Sequence, residues 1–91
     1  MGMVRVQFVV RVPDVERFVA TAKRFEQANV DRGARNPRVL IDENDPNLVC
    51  MMADWESHEA MHAASEELGP DFNREAGTEG LDWTTYVWHE R

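Results

Sequence analysis

At the centre of the chain, a concentrated turn signal separates two strand-like runs. The turn is residues 43–47, ENDPN, and the runs are residues 38–42 before it and 48–56 after it. So short a connection favours an antiparallel hairpin. Helical periodicity lies on both sides of this hairpin, and a further strand-like run lies near each end of the chain.

The first strand is predicted at residues 3–12, where apolar and polar side chains alternate with the period of two that is typical of a half-buried strand. The apolar members of this run are Val4, Val6, Phe8, Val10 and Val12. Pro13 ends the strand, and Asp14 is the expected N-cap of a helix that reaches Asn29. The polar segment 31–37, DRGARNP, is predicted to be a loop.

A second helix is predicted to begin after Ser57 and to stop at Gly69, with Pro70 opening a short continuation. The last strand is predicted over residues 82–90, which are rich in Trp, Thr, Tyr and Val. The order strand, helix, strand, strand, helix, strand predicts an α+β, ferredoxin-like βαββαβ domain with a four-stranded antiparallel sheet. We expect residues 1–91 to form this single domain.

Two helices on one face of such a sheet leave its other face open. Alternation places apolar Val9, Cys50 and Met52 on the open face, and it places Trp83 and Trp88 on opposite faces of the last strand. An open face with apolar members favours association with a second subunit. The sequence therefore predicts a homodimer that pairs through this face.

Composition limits the partners and the compartment. With 10 basic and 17 acidic residues, the net charge of −7 opposes the phosphate backbone, so no nucleic acid is expected. No apolar run approaches the ~18 to 20 residues of a membrane span, so no membrane is expected. The single cysteine, Cys50, forms no internal disulfide, and no signal-peptide pattern begins at Met1. The cytoplasm is the expected location.

Residues 45–60, DPNLVCMMADWESHEA, carry a family resemblance. A DPN-like turn, a hydrophobic strand and a W-E-S-x-E-A junction into the second helix resemble the antibiotic biosynthesis monooxygenase group of the dimeric α/β-barrel proteins. The resemblance implies two sheets packed back to back, with a ligand between the sheet and the helices of each subunit. It also implies a role in secondary metabolism. The superfamily includes cofactor-free oxygenases, polyketide cyclases, isomerases, haem-degrading enzymes and small proteins without known activity.

The resemblance also suggests which residues form the reaction pocket. It makes Trp55 a pocket residue, and alternation places Met51 on the same face as Trp55. Many relatives have a histidine nine positions after this tryptophan, where this chain has Ala64, with His62 two positions earlier. Haem-degrading relatives have an asparagine on the first strand, near Val10. These departures favour an alternative, a non-catalytic binding or stress-related barrel.

Residues 58–62 spell HEAMH, an H-E-x-x-H motif that places two imidazoles one helical turn apart to bind zinc. The longer H-x-x-G-x-x-H continuation is missing, because Ser65 and Leu68 occupy its positions. The WESHEA junction already accounts for Glu59. We therefore expect no metal and two histidines at the surface or pocket rim, and a zinc hydrolase is the less favoured alternative.

The function favoured by this sequence is a cofactor-free enzyme that oxygenates, cyclises or isomerises a small aromatic or polyketide-like substrate. His62 or His58 is the expected base, because the dipole at a helix start favours a neutral imidazole. Four Phe, three Trp and one Tyr supply an aromatic pocket. The predicted substrate-binding residues are Trp55, Phe8, Val10, Met51, Asn29, Phe72 and Tyr86.

Overall fold

The strands of the protein form a single four-stranded sheet, seen in a computed structural model that describes residues 2–91. The elements are β1 (Val4–Arg11), α1 (Val15–Val30), β2 (Ala34–Ile41), β3 (Leu48–Trp55), α2 (His58–Ala76) and β4 (Thr84–His89). The strand order is β2-β3-β1-β4, and every neighbouring pair is antiparallel. The predicted ferredoxin-like βαββαβ fold is confirmed.

Both helices begin at the predicted caps. The Asp14 carboxylate accepts a hydrogen bond from the backbone N–H of Arg17 at 3.0 Å. The Ser57 hydroxyl accepts one from the backbone N–H of Ala60 at 3.1 Å. Each bond satisfies a donor that the first helical turn leaves without an intrahelical partner. α2 ends at Gly77, whose left-handed backbone (φ 74°) suits a glycine at this position.

β2 begins at Ala34, so the prediction that residues 34–37 belong to a loop is wrong. β2 is an edge strand, where Pro37 is tolerated because its missing N–H can face away from the ladder. The register of the β2–β3 pair shifts between Arg35 and Arg38, and Asn36 has a positive φ of 53°. This irregularity lets a loop-like sequence join the sheet.

α2 runs without a break from His58 to Ala76, so the predicted stop at Gly69 is wrong. Pro70 removes one backbone donor inside the helix, a change that costs about 3 kcal/mol in an ordinary helix interior. Beyond it, Phe72 and Ala76 are still buried against the sheet and α1. The packing of this last stretch offsets the lost hydrogen bond.

The two core clusters lie on the helix-covered face of the sheet. One is centred on Phe18 and Phe72, and the other contains Trp55 and Met61. The ion pairs Arg24–Glu75 (3.0 Å) and Arg32–Glu67 (2.7 Å) join α1 to α2 across their outer surface. Within residues 2–91, neither helix has the length and apolar character needed to span a membrane.

Candidate functional site

A cavity of about 290 Å³ lies between the helices and the sheet. Its volume is close to the lower end of the range of small-molecule sites, ~300 to 1,000 Å³. On the sheet side it is lined by Phe8, Met51, Trp55, Trp83 and Thr85, and by Pro37, Arg38 and Val39 of the edge strand β2. The apolar side chains on the helix side are Ala22, Phe25, Ala64, Leu68 and Phe72. A mostly apolar enclosure of this size suits a small aromatic molecule.

Small residues and stacked rings give the cavity its shape. Ala22 on α1, and Ala64 and Gly69 on α2, line it and leave space between the helices and the sheet. The Phe72 ring meets the Phe25 ring edge to face, with centroids 5.4 Å apart, and it meets Trp83 in the same manner at 6.4 Å. Rings in mutual contact hold one another in place, so this wall is preformed.

Four polar side chains lie on the helix side of the cavity, namely Glu26 and Asn29 on α1 and Ser65 and Asn73 on α2. The Asn29 side-chain amide donates to the Phe25 carbonyl at 3.1 Å, which leaves its own Oδ1 as an acceptor. The Asn73 Oδ1 accepts from the Thr78 hydroxyl at 2.7 Å, which leaves its Nδ2 as a donor.

Of these four polar residues, only Asn29 was predicted from the sequence to bind substrate. A signal for Glu26 was nevertheless present, because it follows Ala22 by four positions, as Asn29 follows Phe25. Both polar residues therefore continue the apolar stripe of α1. A polar side chain on an otherwise apolar helical stripe is a useful marker of a polar group that faces a cavity.

The structure brings together five of the seven predicted substrate-binding residues. Those that line the cavity are Phe8, Asn29, Met51, Trp55 and Phe72. Val10 is instead buried in the core, 2 % exposed, with Phe18 among its neighbours. Tyr86 lies on the opposite face of the sheet, 45 % exposed, because alternation along β4 gives the inward direction to Thr85.

The two histidines lie on the exposed surface of α2 and not among the residues that line the cavity. The His62 Nε2 is 3.2 Å from the Glu66 carboxylate, and the His62 ring stacks with the His58 ring. The buried stripe of this helix runs through Met61 and Ala64, so a histidine one position after Met61 points away from the core.

The structure also bears on two predictions made from the sequence, the histidine position taken by Ala64 and the zinc motif at His58 and His62. Ala64, at the position where the resemblance implies a histidine, lines the cavity. Among residues 2–91, no three His, Cys, Asp or Glu side chains gather where they could hold a metal ion. His58 and His62 therefore have no third ligand in the described structure, and the zinc-hydrolase alternative lacks the site that it needs.

The open face of the sheet combines polar pairs with apolar side chains. The Arg5 guanidinium donates to Asp54 at 2.9 Å, and this hydrogen bond lowers the pKa of the Asp54 carboxyl below its usual range. The Trp88 indole N–H donates to the Gln7 side chain at 2.9 Å. Burial raises the pKa of the Cys50 thiol, so the thiol is not activated as a nucleophile.

No sequence-family model and no curated protein matches the chain by sequence. Solved structures do match its fold. A candidate antibiotic biosynthesis monooxygenase from Bordetella bronchiseptica is 18 % identical with a TM-score of 0.78, and the match covers 100 % of this chain and 97 % of that one. A second candidate from Nitrosomonas europaea is 12 % identical with a TM-score of 0.77, covering 99 % and 92 % of the two chains.

A third solved structure is a mutant form of SnoaB, a cofactor-independent oxygenase from Streptomyces nogalater. It is 16 % identical with a TM-score of 0.71, and the match covers 98 % of this chain and 92 % of SnoaB. The protein thus has the fold of these antibiotic biosynthesis monooxygenase-type structures. Identities this low establish the common fold, and one fold supports many activities.

Proposed function

We propose that this protein is a cofactor-free enzyme that oxygenates, cyclises or isomerises a small aromatic or polyketide-like molecule. The observation that carries the proposal is the mostly apolar cavity between helices and sheet, with Trp55 on its sheet side and a few polar groups among its lining residues. A site that holds a ring in apolar contact and presents a few placed polar groups suits proton abstraction from an activated phenol or β-dicarbonyl.

Some residues of the cavity bind the substrate, and others stabilise the negative charge that forms on it. Phe8, Met51 and Phe72 pack against the faces and edges of the ligand, while Trp55 orients it. Removing a proton leaves a phenolate or enolate, whose charge is stabilised by N–H donors that are already in position. Dioxygen then reacts with this electron-rich carbanion form, so neither flavin nor metal is needed to supply electrons.

The test is oxygen consumption with 1,8-dihydroxyanthrone, whose methylene protons are acidified by the conjugated carbonyl. The balanced reaction joins one 1,8-dihydroxyanthrone and one O₂ to give 1,8-dihydroxyanthraquinone and water. We expect turnover above the uncatalysed rate and at least a ~10-fold loss in Trp55→Phe. Trp88→Phe makes the same change on the opposite face of the sheet and is expected to retain activity. Equal rates in the unaltered protein and Trp55→Phe would contradict the role of Trp55.

A second candidate function is a barrel that binds a small molecule without turning it over. Two observations favour it. Ala64 lines the cavity at the position where the family resemblance implies a histidine, and both His58 and His62 lie outside the cavity. Saturable binding of an aromatic ligand with no oxygen uptake and no chemical change in that ligand would favour this candidate over the enzyme.

We further propose that the open face of the sheet pairs with a second copy of the chain. Its apolar members include Leu40, Tyr86 and Trp88, which are 42 %, 45 % and 54 % exposed. Stacked exposed aromatic rings are typical of association surfaces. Native mass spectrometry should give the mass of two chains, and Trp88→Glu should shift it to one. The control, His62→Glu on the exposed side of α2, should leave the two-chain mass unchanged.

A further inference from the structure

Two of the polar residues that line the cavity lie at the same level of the two helices. The ion pairs Arg24–Glu75 and Arg32–Glu67 fix α1 and α2 in an antiparallel register. Glu26 lies two residues after Arg24 on α1, and Asn73 lies two residues before Glu75 on α2. Both residues line the cavity. They therefore lie at the same level of the helix pair, on opposite sides of one end of an apolar space.

The two side chains offer complementary chemistry to a ligand. The Glu26 carboxylate only accepts hydrogen bonds, and within residues 2–91 it belongs to no ion pair. Asn73 is held at its Oδ1 by the hydroxyl of Thr78, which is 1 % exposed. This fixed contact keeps the N–H groups of Asn73 available. One end of the cavity thus presents an acceptor on α1 and a donor on α2.

We propose that Glu26 and Asn73 select planar aromatic ligands that carry a hydroxyl group conjugated with a carbonyl. The hydroxyl donates to Glu26, and the carbonyl oxygen accepts from Asn73. This inference rests on the proposed function, because it assigns the substrate class of the same cavity. A ring without the hydroxyl covers the half-buried Glu26 carboxylate without giving it a hydrogen-bond donor, and such an analogue should bind less tightly.

The same pair suits the first chemical step. When the ligand's O–H bond breaks, the proton passes to the Glu26 carboxylate and the electron pair stays on the ligand oxygen. Conjugation spreads this negative charge onto the carbonyl oxygen, where the Asn73 N–H stabilises it. Glu26 is thereby the proton acceptor inside the cavity, a position that neither His58 nor His62 occupies.

The test is isothermal titration calorimetry with three probes that have one ring system in common: 4-acetyl-1-naphthol, 1-acetylnaphthalene, which lacks the hydroxyl, and 1-naphthol, which lacks the carbonyl. We expect 4-acetyl-1-naphthol to bind about 10-fold or more tightly than either analogue. Glu26→Gln should reduce the preference over 1-acetylnaphthalene, because a neutral amide oxygen accepts a weaker hydrogen bond than a carboxylate does. Asn73→Asp should abolish the preference over 1-naphthol, because it removes the N–H donors. Glu43→Gln, which makes the same change in the exposed β2–β3 turn, should leave all three affinities unchanged.

The outcomes separate this inference from the proposed function. Equal affinities for the three probes, unchanged in Glu26→Gln, would overturn the assignment of Glu26 and Asn73 while leaving the aromatic cavity intact. Absence of binding by all three probes to the folded protein would overturn the aromatic cavity as well. Circular dichroism of each variant confirms that the comparison is made between folded proteins. A red shift of the naphthol absorbance on binding, lost in Glu26→Gln, reports the proton transfer directly.

Discussion

The two faces of the β-sheet come from the same strands and yet present opposite surfaces. On the helix-covered face, Val6 and Val10 of β1 are 1 % and 2 % exposed. On the open face, Tyr86 and Trp88 of β4 are 45 % and 54 % exposed. Because successive side chains of a strand point to opposite sides, one stretch of sequence builds a packed core on one face and a surface open to a partner on the other.

The faces also differ in how their side chains are held. Packing alone orders most of the covered face, where the Phe18 ring contacts those of Phe72 and Trp83. Specific polar contacts organise the open face, among them the Arg5–Asp54 ion pair. Burial of apolar area is the larger source of folding free energy, whereas exposed ion pairs contribute little. Stability should therefore depend on the covered face, and association on the open face.

Shortening two adjacent valines of β1 tests whether stability depends on the covered face more than on the open face. Val10→Ala removes buried methyl groups from the core and should lower the free energy of unfolding by about 2 to 3 kcal/mol. Val9→Ala makes the same change on the open face and should cost less than about 1 kcal/mol. Urea denaturation of both variants gives the two values. Equal losses of unfolding free energy in the two variants would show that the covered face does not contribute more to stability than the open face.

Sequence alone predicted the faces of the sheet because alternation depends only on the strand backbone. It placed Trp83 and Trp88 on opposite faces of the sheet, and the structure confirms this. Trp83, one residue before β4, lines the cavity, and Trp88 is exposed. It also predicted both helix caps, Asp14 and Ser57, because the capping oxygen and the N–H that it accepts are close in sequence. Local chemistry was sufficient for these features.

The features that sequence missed depend on contacts between distant segments. Pro37 indicated a loop, yet pairing with β3 draws it into an edge strand. Pro70 indicated a helix stop, yet Phe72 continues the packing of α2. The cavity is the space between helices and sheet, so the sequence does not show which residues line it. The position of Asn73 at the cavity follows from how α2 packs against α1 and the sheet. His58 and His62 belong to an H-E-x-x-H motif that suggested a chemical role. The buried side of α2 runs through Met61 and Ala64, so both histidines lie outside the cavity.

A smaller effect tests what holds the end of α2 over the covered face. The Arg17 side chain donates to the backbone carbonyls of Glu75 and Arg74 at 2.7 and 2.9 Å. A Cβ on Gly77, where φ is 74°, would come within 2.9 Å of the Arg17 guanidinium. Gly77→Ala should therefore cost about 1 to 2 kcal/mol of unfolding free energy, through backbone strain and a disturbed Arg17.

Gly80→Ala is the matched control for this prediction. Gly80 has a similar φ of 76°, but an added Cβ there meets nothing within 4 Å. The control variant thus carries the backbone strain without the contact to Arg17. Thermal or urea unfolding should show the larger loss for Gly77→Ala. Equal losses in the two variants would mean that Arg17 does not help to hold α2 in place.

The smallest expected effect is on the open face, at the Arg5–Asp54 pair. The hydrogen bond and charge of Arg5 lower the pKa of Asp54 in the folded protein, with a further contribution from Arg38. A lowered folded-state pKa stabilises the protein above the ordinary Asp value of about 4, and this contribution is lost as the pH falls through the folded-state pKa. Asp54→Asn should therefore be less stable than the unaltered protein at pH 7, and the difference should shrink below pH ~4.

Thermal unfolding between pH 7 and pH 3 measures this difference, with Asp82→Asn as the control at an exposed aspartate outside the ion pairs of residues 2–91. The same experiment also tests whether the open face is covered by a partner. If a second copy covers the open face, it takes Arg5 and Asp54 out of water and strengthens their interaction. The effect of Asp54→Asn should then grow with protein concentration, while that of Val10→Ala, on the covered face, should not. A concentration-independent difference at Asp54 would argue that the open face stays in contact with solvent.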